Sequence, residues 1–180
     1  EADNFEVTGT TLTANEVSVT NAASAINAGT GNDAVTVNDT NSTLTGSDNA
    51  LNTANYQFTS IDSVDLADNA LTGTANADTF DVTGANALTS ADIDFTNVAS
   101  VDANDGDDQL NTSAAVLEAG TNEALTSSNI SFTDIESADL SDGILTGTSN
   151  ADTFDVTGAN SLTSAGINFS NVAAVNADDG

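Results

Sequence analysis

Leu71-Thr-Gly-Thr-Ala-Asn-Ala-Asp-Thr-Phe-Asp-Val-Thr-Gly84 is the stretch that decides the fold, because it returns almost unchanged as Leu145-Thr-Gly-Thr-Ser-Asn-Ala-Asp-Thr-Phe-Asp-Val-Thr-Gly158. A third copy, Ala2-Asp-Asn-Phe-Glu-Val-Thr-Gly9, opens the chain. Around these copies, residues 2–31, 77–106 and 151–180 align without a gap, and we call them the short arcs. The long arcs between them, 32–76 and 107–150, align with each other after one gap. The chain is therefore built from a repeat of about 75 residues, as repeat 2–76, repeat 77–150 and partial repeat 151–180.

A smaller unit lies inside this repeat. Residues 87–102 parallel residues 124–139, which gives a unit of about 37 residues. Each unit alternates β-branched and aromatic residues with polar ones between Asn, Asp, Gly and Thr, and no segment shows helical periodicity. Such a small unit cannot bury its own apolar face, so successive units are expected to stack. We predict an all-β chain that forms one continuous parallel β-solenoid over residues 1–180, with coils alternating between about 30 and 44 residues.

Equivalent residues of successive coils are expected to form inward ladders. The alignment predicts a ladder of Phe5, Val35, Phe80, Leu110 and Phe154, a second of Phe58, Phe95, Phe132 and Phe169, and a third of Ile26, Val64, Val101, Ala138 and Val175. In the first coil, Thr20 aligns with Phe95 and cannot supply an aromatic side chain at that position. Val17 and Val19 should therefore fill the position after a one-residue slip in strand register. The extra residues of the long arcs lie around 38–54 and 70–76 and at their equivalents 113–127 and 144–150, and they should bulge outward or add short strands. Leu44, Leu51, Val116 and Leu125 should fold back on the solenoid.

The charge balance excludes several classes of function. The 180 residues include 28 Asp and Glu but no Lys, Arg, His or Cys, so the formal charge is −28. Nucleic acid and anionic membrane surfaces would meet only repulsion, and no apolar run is long enough for membrane insertion. Disulfides and metal sites built from thiolate or imidazole are excluded too. Because no side chain is positively charged, bound cations are expected partners of the carboxylates.

One aspartate lies two positions before each residue of the first ladder. These aspartates are Asp3, Asp33, Asp78, Asp108 and Asp152. The densest acidic clusters are Asn104-Asp-Gly-Asp-Asp108, which contains Asp105, Gly106 and Asp107, and Asp178-Asp-Gly180. Carboxylate clusters of this kind suit Ca²⁺, which prefers hard oxygen ligands. The alternative is that the ladder aspartates cap turns by accepting hydrogen bonds from backbone N–H groups.

Two further rows of polar residues are predicted on the outside. Asp65, Asp102 and Asp139 should stack with Asn27 and Asn176 about 4.8 Å apart, where like charges raise pKa values or recruit a cation. By contrast, Glu6, Thr36, Asp81, Asn111 and Asp155 should alternate charged and neutral side chains. Solvated surface carboxylates are the alternative interpretation of both rows.

Several motifs resemble the calcium-binding RTX repeats of secreted bacterial proteins. Ala28-Gly-Thr-Gly-Asn-Asp-Ala-Val-Thr36 matches the nonapeptide G-G-x-G-x-D-x-U-x except at its first glycine, and residues 103–111 match it more loosely. Gly73-Thr-Ala-Asn-Ala-Asp-Thr-Phe80 and Phe95-Thr-Asn-Val-Ala-Ser-Val101 are similar to repeats of giant bacterial surface adhesins. The resemblance implies Ca²⁺ ligands at Asp33 with Gly29 and Gly31, at Asp108 with Gly106, and at Asp3, Asp78 and Asp152. The chain departs from the family in having one motif per coil instead of a tandem run.

These patterns predict a non-enzymatic protein at the bacterial cell surface or outside the cell. The expected function is a structural or adhesive element of a surface fibre, matrix or surface layer, extended by end-to-end self-association into filaments or by further coils of a longer chain, because bare solenoid ends expose unpaired strands. The alternative is a ligand-binding adhesin module that grips a host surface, a polysaccharide or ice through the long arcs. Catalysis by paired carboxylates would need a site that interrupts the repeat, whereas the carboxylates follow it.

Overall fold

The computed structural model describes residues 1–14, 17–20, 24–118 and 121–178, with the backbone path alone at 17–20 and Ser24. These residues form twenty β-strands and no helix. The strands are β1 (Asn4–Thr8), β2 (Thr11–Ala14), β3 (Val17–Thr20), β4 (Ser24–Asn27), β5 (Ala34–Val37), β6 (Ser42–Leu44), β7 (Ala50–Asn52), β8 (Tyr56–Thr59), β9 (Ser63–Thr72), β10 (Thr79–Gly84), β11 (Ala87–Ser90), β12 (Ile93–Asp102), β13 (Gln109–Asn111), β14 (Ala114–Leu117), β15 (Leu125–Ser127), β16 (Ile130–Thr133), β17 (Ser137–Thr146), β18 (Asp155–Gly158), β19 (Ser161–Ser164) and β20 (Ile167–Asn176). None of the described ranges contains a helix long and apolar enough to cross a membrane.

The strands form two faces that enclose one apolar core. The first face has the order β3-β2-β1-β5-β9-β12-β11-β10-β13-β17-β20-β19-β18. The second face has the order β4-β8-β7-β6-β9-β12-β16-β15-β14-β17-β20. Aromatic contacts join them, since the ring centroids of Phe5 and Phe58 lie 5.7 Å apart and those of Phe80 and Phe132 lie 6.4 Å apart.

Four long strands, β9, β12, β17 and β20, belong to both faces because each one bends in its middle. The bends contain residues with positive φ, such as Asn97 in β12 and Asn171 in β20. Asn tolerates this left-handed conformation better than most residues. Each bend carries the chain from the first face to the second without ending the strand.

Parallel pairing produces the solenoid that the sequence predicts. On the first face, Phe5, Val35, Val64 and Phe95 lie side by side in β1, β5, β9 and β12. One repeat later, Phe80, Leu110, Ala138 and Phe169 do the same in β10, β13, β17 and β20. The all-β parallel β-solenoid is therefore confirmed.

The spacing of the coils differs from the predicted alternation of about 30 and 44 residues. Parallel partners are separated by 28 residues from Leu110 to Ala138 and by 32 residues from Ile26 to Phe58, and the other parallel pairs fall between these values. Antiparallel three-stranded meanders alternate with the parallel pairs. On the first face these are β1-β2-β3, β10-β11-β12 and β18-β19-β20, and on the second face they are β6-β7-β8 and β14-β15-β16.

The long arcs add short strands instead of bulging outward. Leu44, Leu51 and Leu125 are buried in β6, β7 and β15, as expected for side chains that fold back on the solenoid. Val116 was assigned wrongly, because it is 45% exposed and its neighbour Leu117 points into the core. Each 75-residue repeat thereby contributes five strands to each face.

The 37-residue unit is visible in the backbone. Positive φ recurs at Asn49, Asn86, Glu123 and Asn160, and again at Ser60, Asn97, Asp134 and Asn171. The same backbone hydrogen bond recurs with this period, from Ile61 N to Asn49 O, from Val98 N to Asn86 O, from Ile135 N to Glu123 O and from Val172 N to Asn160 O. Successive units place equivalent residues on opposite faces, since Phe95 lies on the first face and Phe132 on the second.

This exchange of faces explains why the predicted ladders are wrong. In the first ladder, Phe5 does pair with Val35 and Phe80 with Leu110, but β9, β12 and β11 lie between these pairs. In the second ladder, Phe58 and Phe132 lie on the second face and Phe95 and Phe169 on the first. In the third, Ile26, Val101 and Val175 lie on the second face and Val64 and Ala138 on the first.

The first short arc shows the expected slip in its backbone register. Val19 lies opposite Leu12 in the β2-β3 pair, as Phe95 lies opposite Leu88 in the β11-β12 pair. The packing expected of the Val17 and Val19 side chains lies outside the described part of the chain.

Candidate cation and proton sites in the carboxylate rows

Two rows of acidic residues run across the turns that lead into the first face. We call Asp3, Asp33 and Asp62 the first inner row, and Asp78, Asp108 and Glu136 the second inner row. In the first, Asp3 N donates to Asp33 Oδ1 at 2.7 Å and Asp33 N donates to Asp62 Oδ2 at 2.7 Å. In the second, Asp78 N donates to Asp108 Oδ1 at 2.7 Å and Asp108 N donates to Glu136 Oε2 at 2.6 Å. The carboxylates of Asp33, Asp62, Asp108 and Glu136 therefore each hold the backbone of the preceding coil.

The middle residue of each row is the candidate site. Asp33 and Asp108 are fully buried, and the Oδ2 atom of each has no hydrogen-bond partner. An unsatisfied oxygen on a buried carboxylate is costly, so it calls for a proton or a cation. The two sites are equivalent positions of the repeat, so the unpaired oxygen is a recurring feature of the fold.

The electrostatics of Asp108 favour the protonated form. Burial is the largest cause that raises the pKa of its carboxyl group from 3.8 to about 6, and the nearby charges of Glu136, Asp78 and Asp107 contribute to the same rise. The hydrogen bond from Asp78 N–H acts in the opposite direction, since it stabilises the ionised group. A cation bound at Oδ2 would lower the pKa again, so a proton and a cation compete for this atom.

Sequence reasoning found Asp33 and Asp108 but missed Asp62 and Glu136. A signal was present, because Asp62 precedes Val64 by two positions and Glu136 precedes Ala138 by two, as Asp33 precedes Val35. It was overlooked because Val64 and Ala138 were assigned to a different ladder. Their correct place on the first face completes both rows.

Asp78 and Asp152 are placed as turn caps. Asp78 Oδ2 accepts hydrogen bonds from Thr74 N at 2.6 Å and from Thr74 Oγ1 at 3.0 Å. Asp152 repeats the arrangement, since its Oδ2 accepts from Thr148 N at 2.6 Å and its Oδ1 from Thr148 Oγ1 at 3.0 Å. These contacts match the capping alternative for this pair of residues.

The three glycines implied as ligands lie in the same turns as the inner rows. A Cβ atom on Gly31 would lie 2.2 Å from the carbonyl oxygen of Glu1, and one on Gly106 would lie 2.8 Å from that of Asn76. Glycine at these two places is thus required by the close approach of the preceding coil. Gly29 has a φ of 95° and donates its N–H to Asn27 Oδ1 at 2.9 Å.

The acidic turn around Gly106 is mostly open to solvent. Asp105 and Asp107 are exposed, whereas Asp108 at the end of the turn is buried. Asp178 is also exposed, and the rest of the cluster predicted at 178–180 lies outside the described residues. This turn therefore brings one buried and two solvated carboxylates together within four residues.

The predicted stack of Asp65, Asp102 and Asp139 is wrong. Asp65 and Asp139 lie on the first face, and Asp102 lies on the second, between Thr72 and Thr133. Asp65 pairs with Thr36 and Thr96, and Asp139 with Asn111 and Ser170. Each of the three carboxylates is thus flanked by neutral side chains, which avoids the like-charge contact expected from the sequence.

The outward side of the first face carries a row with the same alternation, which we call the outer row. It runs through Glu6, Thr36, Asp65 and Thr96, moves two residues along β12 to Asp94, and then runs through Thr89, Asp81, Asn111, Asp139 and Ser170. Asparagine amides donate hydrogen bonds to several members, since Asn38 Nδ2 donates to Glu6 Oε1 at 2.7 Å, Asn97 Nδ2 to Asp65 Oδ1 at 2.9 Å and Asn171 Nδ2 to Asp139 Oδ2 at 2.9 Å. The predicted alternation of Glu6 with Thr36 and of Asp81 with Asn111 is confirmed.

The second face is much less charged. On its outward side, Gln57, Asn52, Thr43, Thr72, Asp102 and Thr133 follow one another across the strands, and Ser100, Ser131, Thr126, Val116, Thr146 and Asn176 form the next line. Asp102 is the single acidic member of these two lines. Burial raises the pKa of Asp134 in the neighbouring turn, and a hydrogen bond with Asp102 and the negative charge of Asp102 act in the same direction.

The available ligand atoms limit the kind of metal site that this chain can form. Within the described ranges, no three acidic side chains converge closely enough to hold a metal ion by themselves. A cation at Asp33 or Asp108 would therefore be completed by backbone oxygens and water. The buried Oδ2 atoms fit such an ion in chemistry, because Ca²⁺ takes carboxylate, carbonyl and water oxygens.

Comparison with known proteins identified no relative. No protein-family model, curated protein or solved structure matches the chain.

Proposed function

We propose that this chain is a non-enzymatic structural or adhesive segment of a bacterial surface fibre, matrix or surface layer. The observation that carries the proposal is a two-faced solenoid whose repeat is unbroken through the described residues. Stacked units of this kind, in which each unit contacts only its neighbours, suit an extended structural element.

We further propose that Ca²⁺ or another cation stabilises the array at Asp33 and Asp108. The support is the pair of buried oxygen atoms without hydrogen-bond partners, together with a formal charge of −28 that no side chain offsets. An ion that binds only the folded state stabilises it by about 2.7 kcal/mol at a concentration of 100 times the dissociation constant. The turn sequences that resemble RTX nonapeptides lie at these positions.

Thermal unfolding tests the cation proposal. Added Ca²⁺ should raise the Tm of the wild-type chain and EDTA should lower it, at constant ionic strength. The double variant D33N/D108N should lose most of this response, whereas D92N, which removes an exposed carboxylate elsewhere, should keep it. An equal response in all three proteins would mean general screening of charge, and no response in the wild type would remove the cation from the proposal.

Surface labelling tests the location. An antibody against the chain should label intact cells of the source organism without permeabilisation, and should label fibrous or layered material in electron micrographs. Labelling that appears only after the cells are opened would contradict the proposed surface function.

A second candidate function is a ligand-binding adhesin module, and a pair of equivalent grooves favours it. One cavity of 420 Å³ is lined by Asp48, Thr74, Asp78 and Ser90, and its equivalent of 270 Å³ is lined by Asn122, Thr148, Asp152 and Ser164. Both are polar and lie between a long-arc loop and a capped turn. The variant D48W/N122W should block both grooves, so loss of polysaccharide binding with an unchanged Tm would support this candidate.

A further inference from the structure

One unit of the repeat carries a carboxylate where the other units carry an amide. Asn49, Asn86 and Asn160 stand at equivalent positions of the 37-residue unit, and Glu123 stands at the fourth such position. The backbone is the same at all four, since each residue has a φ between 52° and 56°. Each of their carbonyl groups also accepts a hydrogen bond from the N–H group twelve residues later. The units therefore differ here in the side chain and not in the path of the chain.

In two of these units the asparagine amide joins a pair of backbone carbonyl groups. Asn49 Nδ2 donates to Ile61 O at 3.0 Å and to Asp92 O at 2.9 Å. Ile61 is fully buried, so its carbonyl oxygen depends on a donor from within the protein. The same pair of contacts recurs one unit later, where Asn86 Nδ2 donates to Val98 O at 3.0 Å and to Asn129 O at 3.4 Å.

An ionised Glu123 cannot make this bridge, because a carboxylate accepts hydrogen bonds and donates none. The carbonyl groups at the equivalent places belong to Ile135 and Gly166. No side chain in the described part of the chain donates a hydrogen bond to either of them. Ile135 is fully buried, so its carbonyl oxygen is left without the donor that its equivalents have. A buried carbonyl group in this state is costly unless another ligand satisfies it.

The Glu123 side chain lies against Gly166. A Cβ atom on Gly166 would lie 3.3 Å from Glu123 Cγ and 3.5 Å from Glu123 Oε1. The equivalents of Gly166 in the units with asparagine are Asp92 and Asn129, which both carry a side chain. The larger glutamate is thus accommodated by a glycine opposite it, and its carboxylate stays beside one of the two carbonyl groups.

The electrostatic environment of this turn favours positive charge. Asp134 directly precedes Ile135, and burial raises the pKa of its carboxyl group. A hydrogen bond with Asp102 and the charges of Asp102, Glu123 and Glu136 act in the same direction, which shows that their negative fields overlap here. The chain has no Lys, Arg or His to offset them.

We propose that a hard cation such as Ca²⁺ binds at this turn, between the carboxylate of Glu123 and the carbonyl oxygens of Ile135 and Gly166. The ion does the work of the amide N–H groups that join the equivalent carbonyls in the other units. Carboxylate and carbonyl oxygens are the ligands that Ca²⁺ prefers, and water completes its coordination. This Glu123 site uses neither Asp33 nor Asp108, so it goes beyond the proposed function and does not depend on it.

Restoring the amide tests the Glu123 site. The parent is D33N/D108N, which lacks the other proposed ligands and should bind about one Ca²⁺ per chain in equilibrium dialysis at millimolar free Ca²⁺. E123N in this parent should lose the ion, and its Tm in EDTA should exceed that of the parent because asparagine supplies the missing N–H donors. D142N, which removes an exposed carboxylate elsewhere, should keep the ion.

Three results would overturn the site. The first is a parent that binds no Ca²⁺, and the second is an E123N chain that binds as much as its parent. The third is a parent whose Tm is the same in Ca²⁺ and in EDTA, which would mean that a proton or a water molecule satisfies the carbonyl groups instead of a cation.

A second experiment builds the same site one unit earlier. N86E/N129G in the same parent reproduces the pair of Glu123 and Gly166, and it should raise the number of bound Ca²⁺ ions by about one per chain. N86Q/N129G is the matched control, since it has nearly the same shape but keeps an amide, and it should add no ion. Equal Ca²⁺ binding by these two variants would overturn the geometry of the site. Because the parent lacks the carboxylates of Asp33 and Asp108, failure here leaves the proposed function standing.

Discussion

Asp108 is the residue whose environment most directly controls the dependence of stability on pH. It is fully buried, and burial together with the charges of Glu136, Asp78 and Asp107 raises the pKa of its carboxyl group to about 6. The folded state then holds a proton that the unfolded state has already lost between pH 4 and pH 6, so the free energy of unfolding should rise as the pH falls through this window. The gain from pH 7 to pH 4 is on the order of 2–3 kcal/mol for this group.

Urea unfolding across this pH range measures the effect. D108N, which cannot ionise, should flatten the dependence of the urea midpoint on pH, whereas D92N should leave it as in the wild type. The slope is the useful readout, because a buried amide group carries its own cost at every pH. The assignment to Asp108 would be wrong if D108N and the wild type kept parallel pH profiles.

Gly143 illustrates how little space separates neighbouring coils. A Cβ atom there would lie 1.8 Å from the carbonyl oxygen of Ser113, whereas a Cβ atom on Gly84 would meet nothing within 4 Å. We predict that G143A lowers the free energy of unfolding by about 2 kcal/mol or more, because the backbone must move apart to admit the methyl group. G84A should be neutral or slightly stabilising. Equal urea midpoints for the two variants would show that the coils at Gly143 can separate freely.

At the scale of the strand, neutral side chains between acidic ones keep the first face together. Asn111 lies between Asp81 and Asp139, and its amide donates to Asp81. N111D would place three carboxylates on successive strands, and we predict a loss of about 1 kcal/mol in the free energy of unfolding. The loss should shrink in 0.5 M NaCl, since salt screens exposed charges.

N122D is the matched control for this prediction. It makes the same chemical change in an exposed loop, so its urea midpoint should stay close to that of the wild type at both salt concentrations. If N111D were as stable as N122D at low salt, the alternation of charge along the outer row would have no energetic role.

The strands and the repeat could be predicted from the sequence, but the face that each strand joins could not. Periodic Val, Ile, Leu and Phe fix the strands, and the alignment of 87–102 with 124–139 fixes the 37-residue unit. That unit has the same sequence pattern on either face, so Phe95 and Phe132 look equivalent although they lie on opposite faces. Only the pairing of the strands distinguishes them.

The same limit applies to the candidate sites. Asp33 and Asp108 could be found because each belongs to a turn with an unusual sequence. Asp62 and Glu136 were missed because their place in the inner rows depends on the face assigned to the next strand. The asparagine amides that donate hydrogen bonds to Glu6, Asp65 and Asp139 were missed for the same reason, since they are 32 residues away in the sequence.

At the scale of the whole molecule, the strand order predicts the length of the particle. The thirteen strands of the first face span roughly 58 Å at about 4.8 Å per strand. A variant with residues 77–150 duplicated should gain five strands on each face, and its maximum dimension in solution scattering should grow by about 24 Å. Two coils per repeat, as the alignment alone suggests, would add only about 10 Å. The smaller increase would show that the meanders are not part of the stack.

The exchange of faces after every 37 residues also restricts how such a chain can change its length during evolution. Loss or duplication of a single unit by recombination would move every later strand to the opposite face, so the outer row of acidic residues would be interrupted at that point. Recombination that adds or removes an even number of units leaves every later strand on its original face. The near-identical stretches 71–84 and 145–158 are two units apart, so recombination between them keeps each strand on that face.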